Sequence, residues 1–145
     1  MHYSKYMVNF PTMKLPDRFI VVDDDRTSNM ICEFSFRRFS SAIEVKTFVE
    51  AANALHYIEN EYVAAQSNSF TFLFLDINMP VFTGWDFLEI FNNFPKTIKQ
   101  QFVIYILTSS IEQKDLERAA ANPLVKGLFS KPLSTKLIQD IFSSD

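Results

Sequence analysis

Short runs of β-branched and aromatic residues recur along this chain, and each is followed by a polar-and-apolar stretch long enough to make a helix. The runs at residues 19–22, 42–47, 70–75, 102–107 and 127–130 read as strands. Three of them are almost continuously apolar, which is the pattern of parallel strands covered by helices on both faces. The segments 26–39, 49–66, 85–92, 111–121 and 134–142 read as helices. In the second, Ala51, Leu55 and Ile58 fall on one face; around the last, Leu133, Leu137 and Ile141 do the same, with Glu and Lys on the other faces. Strand and helix alternating five times predict an α/β fold, a doubly wound parallel sheet of five strands. Residues 1–17 follow neither period. Pro11 and Pro16 bracket the end of that stretch, so 1–17 reads as an N-terminal extension and 18–145 as one domain.

Composition narrows the class. A chain of 145 residues is long enough to bury about two thirds of the surface its unfolded form exposes, and 16 phenylalanines supply an aromatic core. Lys and Arg are scattered, and the net charge is -3, so neither direct nucleic-acid binding nor attachment to an anionic membrane is expected. The single cysteine, Cys32, has no internal partner and falls on an apolar helix face, where it reads as a small buried hydrophobe in a reducing compartment. No apolar run reaches the roughly 18 residues of a membrane span, and the start lacks the order of a secretory leader. A cytoplasmic protein is expected.

The polar residues that matter sit just after the strands. In an open parallel sheet right-handed crossovers gather every carboxyl end along one edge, and ligands bind there. The first strand ends in Asp23, Asp24 and Asp25, the third in Asp76, the fourth in Thr108 and Ser109, and the fifth in Lys131 before Pro132. Carboxylates crowded together repel one another and resist dehydration unless a cation lies among them. A hard divalent ion such as Mg2+ suits that donor set, leaving Asp76 free to attack phosphorus while Lys131 and Thr108 neutralise and bond the phosphoryl oxygens. Taken alone, each residue has a plainer reading: an Asp after a strand caps a helix, a strand-end Thr bonds backbone, and a Lys is solvated. Asp25 fits the capping reading, at the start of the helix near Arg26.

The segments FIVVDDDRTSN, FLFLDINMPVFTGWDFL, LTSS and FSKP resemble, in order and near-spacing, the four signatures of the receiver domains of two-component response regulators. The likeness spans about residues 18–142. It implies a flavodoxin-like sheet of order 2-1-3-4-5, with Asp76 as phosphoacceptor and Asp23 and Asp24 as the acidic pair for Mg2+. It further implies that Asn78 lends its backbone carbonyl to the ion, that Thr108 and Lys131 are the hydroxyl and the lysine of the pattern, and that the Lys131–Pro132 bond is cis. A histidine kinase or a histidine phosphotransfer protein would donate the phosphoryl group, and the domain would catalyse both its own phosphorylation and its dephosphorylation. With no output domain in the sequence, the chain would signal by docking a downstream protein or a second copy of itself, a homodimer, on the face made by the fourth helix, fifth strand and fifth helix.

Two features depart from the pattern. Leu128, with Phe129 beside it, stands where receivers commonly carry the aromatic partner of the Thr. The interval from Thr108 to Lys131 is also one residue longer than usual, a length that the turn at residues 119–123 would absorb. Only two glycines occur; Gly84 reads as a positive-φ position before the third helix and Gly127 as the start of the fifth strand, so no glycine-rich phosphate cradle exists. His56 falls on a helix and reads as solvated. A haloacid-dehalogenase-type phosphatase would need an acid where Asn78 stands, since a carboxamide has no proton to give. A pseudo-receiver that binds proteins without phosphorylation is the remaining alternative.

Overall fold

The computed structural model describes residues 18–63 and 70–142. The expected extension at 1–17 and the expected end of the second helix at Gln66 lie outside the described residues. Chain order is β1 (Arg18–Val22), α1 (Arg26–Phe39), β2 (Glu44–Phe48), α2 (Ala51–Glu61), β3 (Thr71–Leu75), α3 (Gly84–Phe91), α4 (Lys96–Lys99), β4 (Phe102–Thr108), α5 (Gln113–Ala121), β5 (Val125–Ser130) and α6 (Thr135–Phe142). All five strands are parallel in the order β2-β1-β3-β4-β5, so the expected doubly wound, flavodoxin-like sheet is observed. The short helix α4 follows Pro95 and has no counterpart in the expected elements, because four residues are too few to display a period.

Side chains of the three central strands alternate between two apolar layers. Ile20, Val22, Leu73, Leu75, Ile104 and Ile106 face α2 and α3, where they meet Ala54, Ile58, Phe87 and Phe91. Phe19, Val21, Phe72, Phe74, Val103 and Tyr105 face α1 and α6, where they meet Phe36, Ile138 and Phe142. Every residue of β3 and β4 is buried, which explains their unbroken apolar sequence. β2, at the sheet edge, alternates exposed and half-buried positions, and its weaker pattern accounts for the two-residue shift of its start from 42 to Glu44.

Two details of backbone differ from expectation. The β4–β5 ladder passes from Ile104 against Val125 to Tyr105 against Gly127, so β5 bulges at Lys126. The strand itself therefore takes up a residue that sequence spacing assigned to the turn at 119–123, and it starts at Val125 rather than at Gly127. Gly84 does not have a positive φ; the described residue with positive φ is Val81, at 68°. What requires glycine at position 84 is proximity, since a Cβ there would stand 2.6 Å from the Asp76 carbonyl oxygen and 2.7 Å from Ile77 Cα. The close approach seats the start of α3 directly beneath the loop that follows β3. Among the described residues no helix is long and apolar enough to cross a membrane.

Candidate functional site

Helix caps and short turns set the acidic rim. Asp25 caps α1 by accepting from the N–H groups of Thr27 at 2.9 Å and Ser28 at 3.4 Å, as its position in the sequence suggests. Its own N–H donates to Asp23 Oδ1 at 2.9 Å. The same device recurs after β3, where the Asn78 N–H donates to Asp76 Oδ1 at 3.0 Å. In each case a backbone donor two residues on holds one carboxylate oxygen. The other oxygen is thereby aimed into the space between the strand ends.

That space contains Lys131. Its Nζ lies 2.5 Å from Asp23 Oδ2 and 3.5 Å from Asp76 Oδ2, with both aspartates buried. The ammonium arrives from β5, whose last backbone step is tied by the Lys131 N–H to the Thr108 carbonyl at 2.8 Å. The Lys131–Pro132 bond is cis, as the resemblance implies. Asp24 is exposed, yet a carboxylate oxygen from each of Asp23, Asp24 and Asp76 lies within 4.8 Å of the others.

Charge in this pocket is unbalanced. Burial pushes the Asp76 carboxyl above its ordinary 3.8 and the nearby Asp23 charge adds to the rise, while the Asn78 N–H and Lys131 pull the other way. Burial alone would lower the Lys131 ammonium, but its hydrogen bond to Asp23 and the charges of Asp23 and Asp76 reverse this and raise it above 10.5. Three carboxylates against one ammonium leave negative charge over. Asp23 Oδ2 is buried and is engaged by the Lys131 ammonium. All-oxygen donors and excess negative charge fit a small hard cation.

The remaining rim residues are linked to this cluster. Asn78 Nδ2 donates to Thr108 Oγ1 at 2.7 Å, and the Thr108 hydroxyl donates to the Ser110 carbonyl at 3.3 Å. Asn29 is a residue that motif reading passed over. Buried on α1, its amide donates to the Asp23 carbonyl at 2.9 Å and to the Phe48 carbonyl at 3.4 Å, tying the ends of β1 and β2. Its signal was a polar residue on the same helical face as Cys32 and Phe36. Cys32 itself is buried, and burial with the nearby Asp23 charge pushes its thiol up to about 12, in keeping with a packing role. His56 is exposed and bonds Asn60. Leu128 packs into the layer against α2 and α3, whereas Phe129 lies in the opposite layer against Tyr105, 5.5 Å between ring centres.

Residues 19–143 match the family described as the response regulator receiver domain. The chain is a receiver domain. Solved receivers share its fold: a response regulator receiver protein from Dyadobacter fermentans is 25% identical with TM-score 0.76, the match covering 86% of this chain and 93% of the other. A two-component response regulator from Cytophaga hutchinsonii is 24% identical with TM-score 0.78, covering 89% and 96%, and one from Legionella pneumophila is 21% identical with TM-score 0.71, covering 86% and 94%. No curated protein matches by sequence. Receiver domains generally bind Mg2+ at an acidic pocket, and in this receiver Asp23, Asp24 and Asp76 form the corresponding cluster.

Proposed function

We propose that this receiver takes a phosphoryl group from a phosphohistidine, on a histidine kinase or a phosphotransfer protein, onto Asp76. The observation that carries the reading is the matched pair of buried carboxylates, Asp23 and Asp76, each with one oxygen held by a backbone N–H and the other turned to Lys131. Asp76 is thus oriented before a donor arrives. Its Oδ2 is the oxygen without a backbone bond and is the natural nucleophile: a new P–O bond forms as the P–N bond of the donor histidine breaks. Lys131, already between the two carboxylates, can follow the negative charge onto the phosphoryl oxygens, and Thr108 offers its hydroxyl to another. Asp23, Asp24, Asp76 and the Asn78 carbonyl would hold Mg2+, which when bound offsets the charge of the phosphoryl group. Water later attacks phosphorus, the P–O bond to Asp76 breaks, and inorganic phosphate leaves with Asp76 returned to a carboxylate.

Signalling would follow from docking on α5, β5 and α6, with a downstream protein or a second copy of the chain as the partner. Phosphorylation shifts the population of the binding-competent state rather than creating it. Incubation with acetyl phosphate and Mg2+, followed by intact-mass measurement, should show one phosphoryl adduct on the wild-type chain and none on Asp76→Asn. Asp24→Ala should lose the adduct while keeping its circular dichroism, because an exposed ligand rather than core packing is removed. An adduct that survives Asp76→Asn would overturn the assignment.

A further inference from the structure

Asn78 reaches both ends of the proposed chemistry with different parts of one residue. Its backbone N–H donates to Asp76 Oδ1 at 3.0 Å, and its side chain donates through Nδ2 to Thr108 Oγ1 at 2.7 Å, across 30 residues of sequence. The second contact meets a hydroxyl that is already in use. Thr108 Oγ1 donates its proton to the Ser110 carbonyl at 3.3 Å and accepts from the Ser110 N–H at 3.4 Å as well as from Asn78. A hydroxyl has one proton and two acceptor sites, so this one has nothing left to offer a phosphoryl oxygen. Thr108 is also fully buried in this arrangement.

We propose that the Asn78 side chain is a latch: it holds the Thr108 hydroxyl in the orientation directed at Ser110, and it must release before Thr108 can donate to a phosphoryl group on Asp76. The proposal rests on the phosphoacceptor reading above and adds a positioning residue that acts through Thr108. The direction follows from the bonds. As long as Asn78 Nδ2 occupies an acceptor site of Oγ1, the directions left to the proton face Ser110; turning it towards Asp76 gives up the 3.3 Å bond to the Ser110 carbonyl and displaces Asn78 Nδ2 from its 2.7 Å bond. Because Asn78 also bonds Asp76 Oδ1 through its backbone, a change at that carboxylate is felt by the residue that holds the latch. The side chain is solvent-exposed, so its removal opens no core cavity.

Beryllofluoride with Mg2+ serves as the phosphoryl mimic, titrated by calorimetry into wild type, Asn78→Ala, Thr108→Ala and the double variant. A neutral hydrogen bond is worth roughly a two- to tenfold shift in population. Asn78→Ala should therefore bind the mimic about two- to tenfold more tightly than wild type, and the gain should vanish in the Thr108→Ala background. Unchanged or weaker binding by Asn78→Ala, or an equal gain without Thr108, overturns the latch. Failure of every variant to bind the mimic counts against the phosphoacceptor reading instead. The latch is then judged by methyl NMR of Thr108 without any mimic: its side-chain rotamer average should move in Asn78→Ala, and an unmoved methyl refutes the proposal.

Discussion

The end of β3 and the residue that follows it meet two opposite environments only two positions apart, at Phe74 and Asp76. Phe74 is buried in an aromatic layer where Phe19 and Phe36 stack with centroids 3.9 Å apart and Phe36 lies 5.6 Å from Phe74. Asp76 is buried almost as deeply, in a pocket where its charge and that of Asp23 share one ammonium. Burial of a phenyl ring gains about 1.5 to 3 kcal/mol from leaving water and needs no particular partner. Burial of a carboxylate costs free energy until specific donors and cations are in place. The layer therefore stabilises the fold whatever is bound, while the rim is held in a costly arrangement that chemistry can use.

Phe36→Ala tests the stabilising side and should have the largest effect. The ring is fully buried against Phe19 and Phe74, and its loss should cost about 3 to 5 kcal/mol in urea unfolding, a large fraction of the roughly 5 to 15 kcal/mol that holds a domain together. Lys131→Met attacks the rim from its cationic side. It leaves Asp23 and Asp76 facing each other and should cost roughly 2 to 3 kcal/mol, less than a fully buried pair would because the lysine keeps some solvent contact. Millimolar Mg2+ should recover part of that loss; a deficit indifferent to the ion would mean that the carboxylates do not share a cation site.

Asp76→Asn should do the reverse and raise the unfolding midpoint at neutral pH without Mg2+. The sign comes from its raised proton affinity. Asp76 holds its proton more tightly folded than unfolded, so its contribution is complete below the unfolded value of 3.8 and is lost as pH rises through the raised folded value. The ionised carboxylate is then a cost that the amide lacks, and the advantage of Asp76→Asn should shrink as pH falls towards 4. Unfolding curves of both proteins across pH 4 to 8 would show it. The smallest effect is expected at Val81, a fully exposed β-branched residue at φ 68° in the loop next to the site. Val81→Asn, which tolerates that backbone region, should gain about 0.5 to 1 kcal/mol, read as a higher unfolding midpoint. No gain would indicate that the loop relaxes without strain.

Most of the rim was legible before the fold was known because its residues directly follow strands with strong apolar patterns. Asp23, Asp76, Thr108 and Lys131 each terminate such a run, and parallel topology alone sends them to one edge. The bond between Asn78 and Thr108 was not legible, since nothing in either segment marks a side-chain contact across 30 residues. The role of Gly84 was misread for a related reason: a glycine in a loop suggests an unusual φ, whereas here the constraint is the Asp76 carbonyl lying against it. The bulge at Lys126 escaped notice because a one-residue excess in length can be absorbed at any point between Thr108 and Lys131.

Local pattern by itself determined the alternation of strands and helices, the parallel sheet, and which residue types would stand at its carboxyl edge, because periodicity and burial are properties of short segments. Tertiary structure alone decided how those groups share partners: which oxygen of each aspartate is held by backbone and which faces Lys131, and that the Thr108 proton is directed to Ser110 while Asn78 occupies its other side. Hydrogen-bond and ion-pair choices depend on distances of a few tenths of an ångström between segments far apart in the chain. Such distances are set only when the two packed layers bring the strand ends into register.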